Sequence, residues 1–182
     1  MENRIRLAVQ ADAAAIAAIY APYVEDTRIS FEEIAPGAPE IAIRMSNPLY
    51  PWLVAEQDGR VAGFANSSAF RARRAYRWSV EVGIYVAPDA KRCGLGRALF
   101  TALLDLLTAQ GFVSAIGAIA LPNEASVGIH EALGFVHTGI YRQVGFKLGE
   151  WADVGLWQKD LAPREDSPAE PRPFAEVVPA YM

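Results

Sequence analysis

The chain has 182 residues, 52% of them of hydrophobic type, which suits one well-packed domain rather than two. A formal net charge of −4 argues against broad nucleic-acid binding, since positive charge is only local, at Arg71–Arg77 and Lys91–Arg97. No apolar run reaches transmembrane length, the N-terminus has no signal-peptide pattern, and a lone cysteine, Cys93, leaves no disulfide framework or cysteine-based metal site, so a reducing cytoplasm is expected.

Ile5, Leu7 and Val9 alternate and predict a first strand. Asp12 is placed to cap a helix with Ile16, Ile19 and Tyr20 on one face. Thr27–Glu33 reads as a polar-aromatic connector before a short helix around Ala38–Ser46. Trp52–Glu56 and Arg60–Ser67 predict a hairpin about Asp58-Gly59, a strong turn signal. After the basic loop Phe70–Arg77, Val80, Val82, Ile84 and Val86 alternate with Glu81, Gly83 and Tyr85, the period of a strand with one buried face. Pro88 ends that strand, having no N–H for a ladder, and Gly83 hints at a bulge within it. Leu95, Ala98, Leu99, Ala102, Leu103, Leu106 and Leu107 then recur with helical spacing, with Gly111 placed as C-terminal cap. Val113–Ala120 predicts a buried strand, Asn123–Leu133 a helix stopped by Gly134, and Phe135–Arg142 with Trp151–Lys159 a final antiparallel pair. Hairpins first, then strands alternating with helices, predict an α/β (α+β) domain with a mixed sheet over residues 1–161. From Ala162 five prolines, several charges and no period predict a disordered tail over residues 162–182.

The chemistry gathers at the strand-to-helix turn. Free N–H groups and the positive dipole end of a helix starting near Gly94 meet a glycine loop flanked by Lys91, Arg92 and Arg97, an anion site suited to a pyrophosphate. A Cβ on these glycines would block close approach of backbone to phosphate oxygens. The run G-x-x-x-x-G-K-[ST] is absent. The dinucleotide fingerprint fails at Leu99, where a third Gly or Ala belongs, and the nearest acidic candidate, Glu124, lies too far on. A basic residue, two others and then G-x-G remain.

This arrangement resembles the acetyl-CoA signature R/Q-x-x-G-x-G/A of the GNAT N-acetyltransferase superfamily, with Lys91 in place of Gln or Arg. Further stretches are similar to the phosphinothricin and methionine-sulfoximine acetyltransferases: T-R-I-S-F-E-E at Thr27–Glu33, A-Y-R-W-S-V-E at Ala75–Glu81, L-P-N-E-A-S-V-G-I-H-E-A-L-G-F at Leu121–Phe135, and the block Gln143–Gln158. The likeness spans roughly Arg4 to Leu161. It implies a mixed sheet of about six to seven strands splayed between the fourth and fifth and flanked by about four helices. It also implies acetyl transfer from acetyl-CoA to the α-amine of a small glutamate-like amino acid, usually by a homodimer; from charge, apolar runs and the cysteine count, no nucleic-acid, membrane or metal partner is expected.

Site expectations follow from the resemblance and the residue chemistry together. Glu81 matches the family's catalytic glutamate and is expected to act as general base, directly or through water. His130 stands where the family has a tyrosine that protonates the departing thiolate. Cofactor contacts are expected from Tyr85 and Val86 along the strand edge, from Lys91, Arg92, Cys93, Gly94, Leu95, Gly96 and Arg97 at the loop, and from Asn123 and Ser126, which share a helix stripe with His130. Arg forks hold oxyanions bidentately, so Arg71 and Arg73, with Tyr76, Phe31 and Glu32, are expected at the acceptor. Lys147, Trp151 and Asp153 belong to the matching block without a legible role. Two rivals remain: the same fold acetylating protein N-termini or other amines, and a non-catalytic acyl-CoA-binding module.

Overall fold

The computed structural model describes residues 3–90 and 94–177. Seven strands form one mixed sheet: β1 (Asn3–Leu7), β2 (Trp52–Gln57), β3 (Arg60–Ala69), β4 (Ser79–Val86), β5 (Ser114–Leu121), β6 (Val136–Lys147) and β7 (Glu150–Asp160), in spatial order β1-β2-β3-β4-β5-β7-β6. Four α-helices accompany them among the described residues: α1 (Ala13–Glu25), α2 (Ala38–Arg44), α3 (Leu95–Gln110) and α4 (Glu124–Ala132). None is long and apolar enough to cross a membrane.

The sheet is antiparallel except at its centre. There β4 and β5 run parallel but pair only at Ser79↔Ser114, Val80↔Ala115 and Glu81↔Ile116. Beyond Glu81 they part, while β4 stays paired to β3 as far as Val86. The expected splay is therefore present, and Glu81 sits at its apex. No register shift interrupts the β3–β4 ladder, so the bulge expected at Gly83 is not formed.

Alternation along β4 sends side chains to two layers. Tyr85, on the same face as Glu81, stacks with Phe64 and meets the rings of Tyr20 and Tyr23 from α1. Ile84 and Val86 approach the start of α3 on the other face, at Gly96. The apolar stripe of α3, including Leu95, Leu99, Leu103, Leu106 and Leu107, is buried as its spacing requires. Gly111 (φ +96°) caps the helix, and Asp58 and Gly59, both at positive φ, turn the β2–β3 hairpin.

Three expectations are revised. Asp12 does not cap α1 through its side chain; its carboxylate takes a two-pronged bond from Arg6 (2.6 and 2.9 Å) and one from the Val9 amide. The last hairpin is longer than its alternation suggested, because bulges carry β6 on to Lys147 and a turn at Leu148-Gly149, both at positive φ, joins it to β7. The expectation of disorder from Ala162 does not describe residues 162–177. Trp78 donates to the Ala169 carbonyl (2.7 Å), Arg172 exchanges backbone and side-chain bonds with Gln110, and the Phe174 amide bonds Pro48. Its prolines, charges and lack of period predict disorder, but the segment is held by bonds to buried Gln110 and to Pro48 and by packing of Phe174 and Val177 against the core.

Candidate active site

A cleft of about 550 Å³ opens where β4 and β5 part. One end is the start of α3, with Gly94, Gly96 and Arg97; the walls are Val82–Val86 of β4, Ala118–Ala120 of β5 and Asn123, Ser126, Ile129 and His130 of α4; Glu81, Asn66 and Ser68 close the other end. Val86 lies five residue steps along the strand from Glu81, about 17 Å at ~3.3 Å per residue. The cleft is thus a long slot with bare helix amides at one end and a carboxylate at the other.

Each end has a local cause. Gly94 is the N-cap of α3 at φ +79°, a conformation an L side chain adopts only with strain, and an added Cβ there would meet nothing within 4 Å. Its role is conformational. Gly96 differs from expectation: its Cβ would touch Val86, Ile84 and Ile129 at 3.4–3.6 Å, so it also lets α3 seat against β4 and α4. Leu95 is buried in the core, so its side chain is no cofactor contact. Lys91, Arg92 and Cys93 lie outside the described residues. Asn123 caps α4, accepting from the Ser126 amide at 3.1 Å, while both residues line the slot. The Val86 carbonyl is taken by the Tyr23 hydroxyl (2.7 Å), which leaves less of the β4 edge for a ligand than the sequence suggested.

At the other end, burial pushes the Glu81 carboxyl above its usual range, and the charge of Arg71 pulls it back. Arg77 and Arg74 both bond Glu170 of the C-terminal segment, and Arg77 stacks on Trp78. Arg71 comes closest to the site, within 3.4 Å of the Tyr141 hydroxyl and over Phe70. Arg73 and Tyr76 stay on the exposed part of the loop, outside the cleft wall.

His130 is buried between Phe100 and Phe135, each at 4.9 Å between ring centroids. Its Nδ1 lies 2.7 Å from the Ser126 carbonyl, an acceptor only, so Nδ1 carries the proton and Nε2 the lone pair. Nε2 is buried over Gly117, where a Cβ would stand 2.5 Å away. Burial holds the imidazole pKa below its ordinary value. The expected acid therefore has no proton to give in its neutral form, and its surroundings oppose a second one.

Glu32 is also revised. Arg44 grips it two-pronged (2.7 and 2.8 Å) and Tyr20 donates to it at 2.9 Å, so its pKa is lowered and its oxygens are occupied. It lines a second cavity of about 350 Å³ that adjoins the cleft at Asn66, Ser68 and Tyr85. Since Tyr20 spends its hydrogen on Glu32, it accepts from Ser30 (2.7 Å). Phe31 lies over Gly145, whose Cβ would come within 2.1 Å of its ring.

Two contributors were not foreseen. Lys147 is buried and donates from Nζ to the Val24 carbonyl, at the end of α1, and to Ser30 (2.6 Å), pinning the connector to β6. Asn66 projects from β3 across Gly83; nothing local in the sequence marks it, because its place comes from cross-strand register. Among the described residues no group of three or more His, Cys, Asp or Glu is placed to hold a metal ion.

Comparison with known proteins bears on this geometry. Residues 5–156 match the acetyltransferase (GNAT) domain. A phosphinothricin N-acetyltransferase of Streptomyces viridochromogenes is 44% identical over 176 residues, covering 95% of this chain and 93% of that protein. An L-methionine sulfoximine/L-methionine sulfone acetyltransferase of Pseudomonas aeruginosa is 39% identical over 120 residues, 65% of this chain and 70% of the other. The solved phosphinothricin acetyltransferase of Sinorhizobium meliloti, in complex with acetyl-CoA, superposes with a TM-score of 0.86 at 37% identity, over 98% of this chain and 97% of that one. With a matching domain over most of its length and a splayed sheet whose slot starts at a glycine-led helix, the chain belongs to the GNAT acetyltransferase family.

Proposed function

We propose that this enzyme transfers the acetyl group of acetyl-CoA to the α-amine of a small glutamate-like amino acid of the phosphinothricin, methionine sulfoximine or methionine sulfone type. The observation that carries the reading is the slot with helix amides at one end and Glu81 at the other. The diphosphate lies at Gly94–Arg97, where unpaired N–H groups and the helix dipole favour negative charge. The pantetheine arm follows the opening between β4 and β5, and the thioester reaches Glu81. The free amine attacks the thioester carbon while Glu81 accepts its proton, directly or through one water, and the C–S electron pair leaves with the thiolate. A carboxyl raised toward neutrality by burial is a better base than an ordinary one. An ordinary thiol pKa of about 8.5 makes the thiolate a tolerable leaving group without an acid from His130. Arg71 holds the anionic part of the acceptor, with Arg73 as a further cation at the loop.

The enzyme works in the cytoplasm as a homodimer. Val144, Phe146, Leu148 and Trp151, each more than half exposed, crowd the turn end of the edge hairpin β6–β7, an apolar surface that a second copy covers. The test of function is CoA release from acetyl-CoA with a panel of these amino acids and of peptides. Turnover of the amino acids supports the reading; turnover of peptides alone refutes it.

A further inference from the structure

One buried polar atom beside Glu81 has no partner. Asn66 faces Gly83 across the β3–β4 ladder, between the directly opposed pairs Ser68↔Glu81 and Phe64↔Tyr85. Residues two apart share a face, so the Asn66 amide and the Glu81 carboxylate are diagonal neighbours on one side of the sheet. The amide fits because residue 83 is glycine: a Cβ there would stand 2.9 Å from Asn66 Oδ1. That oxygen is buried and accepts no hydrogen bond among the described residues. Its neighbours do not supply a donor: Gly83 has no side chain, ionised Glu81 only accepts, and the Tyr85 hydroxyl makes no bond to it. A buried acceptor left unmet is costly and uncommon. Asn66 lines both the main cleft and the adjoining cavity, so a turn of its amide brings the unmet oxygen from its buried place to the space where the acceptor binds.

Resting on the transfer reaction above, we infer that Asn66, its amide seated in the space that Gly83 leaves, is an acceptor-binding residue whose Oδ1 turns to the cleft and takes a hydrogen bond from the attacking primary amine. A free primary amine brings two N–H donors and one lone pair. One N–H meets Asn66 and the other points at Glu81, which turns the lone pair toward the thioester. As the C–N bond forms and the C–S bond breaks, Glu81 takes the proton facing it. The hydrogen held by Asn66 stays on nitrogen and becomes the N–H of the product amide.

Two variants test this from opposite sides. Asn66→Leu replaces the amide with an apolar group of similar size. Gly83→Ala leaves Asn66 in place but displaces its amide; what must give way is the end of a flexible side chain, so the fold is kept. Kinetics use whichever acceptor the parent enzyme turns over, amino acid or peptide, with acetyl-CoA Kd and Tm measured alongside. Both variants should raise the acceptor KM at least tenfold with acetyl-CoA Kd within twofold of the parent, and Gly83→Ala should keep the parent Tm. Acceptor KM and kcat within twofold of the parent in both variants overturns the assignment, and so does a loss confined to Tm. An enzyme that acetylates only peptides refutes the amino-acid reading while leaving Asn66 to be judged by these same ratios. One that turns over no amine overturns both.

Discussion

Lys147 offers a prediction with a magnitude. Its ammonium is buried and donates to two carbonyls, Val24 at the end of α1 and Ser30 in the connector. Lys147→Met keeps the length of the side chain and deletes both bonds. A hydrogen bond to a charged group contributes ~1.5–3 kcal/mol, and the desolvation of the ammonium, which lowers its pKa, offsets part of the pair. A net loss of about 3 kcal/mol corresponds to a fall in Tm of roughly 6–12 °C for a chain of this length. The connector also carries Ser30, hence the Tyr20–Glu32–Arg44 chain that borders the second cavity. Calorimetry should therefore show the lower Tm while steady-state kinetics show a several-fold higher acceptor KM. Titration of acetyl-CoA should give an unchanged Kd, since the α3 start lies at the other end of the slot. A Tm within ~2 °C of the parent would mean that burial of the ammonium cancels its bonds, and the reasoning would fail.

Other predictions follow from the same geometry. Glu81→Gln should cut turnover by ~10²–10⁴-fold with acetyl-CoA Kd retained, and Tm at neutral pH should hold or rise. The sign follows from the raised carboxyl pKa: the folded state holds the proton more tightly than the unfolded, so stability falls as pH climbs from the ordinary carboxylate range through the raised value, and glutamine removes that loss. Unchanged turnover would show that Glu81 is not the base. For His130→Leu the expected loss in kcat is under about tenfold, below the ~10²–10⁴ of a needed acid. Because the folded imidazole has a depressed pKa, its stabilising share is present above about 6.5 and lost as pH falls, so a Tm–pH curve of this variant should be flatter below that point. A large kcat loss with a parental pH–Tm curve would restore the acid role. Truncation after Leu161 removes the Glu170 pairs to Arg74 and Arg77 and the bond to Trp78, so Tm should drop and acceptor KM should rise several-fold; parental values for both would make the segment dispensable.

What the sequence disclosed were the features with a local physical signature. The alternation of β4, the glycine-led start of α3 and the Asp58-Gly59 turn each depend on neighbours within a few residues, and each is found in place. Asn66, Lys147 and the tail are different. Asn66 matters because register sets it opposite Gly83, Lys147 because β6 runs through bulges to the end of α1, and residues 162–177 because their backbone bonds Gln110 and Pro48. Those partners lie far along the chain, where periodicity and composition carry no information. His130 shows a subtler limit: its position in the helix was readable, but the proton's location depends on the Ser126 carbonyl.

The account turns on where acetyl-CoA lies. A crystal structure of the complex tests it most directly. The diphosphate should bond the amides of residues 94–97 at the start of α3, with the thioester carbonyl beside Glu81 at the apex of the β4–β5 opening. A cofactor bound outside that slot, or with its thioester directed away from Glu81, would contradict the account.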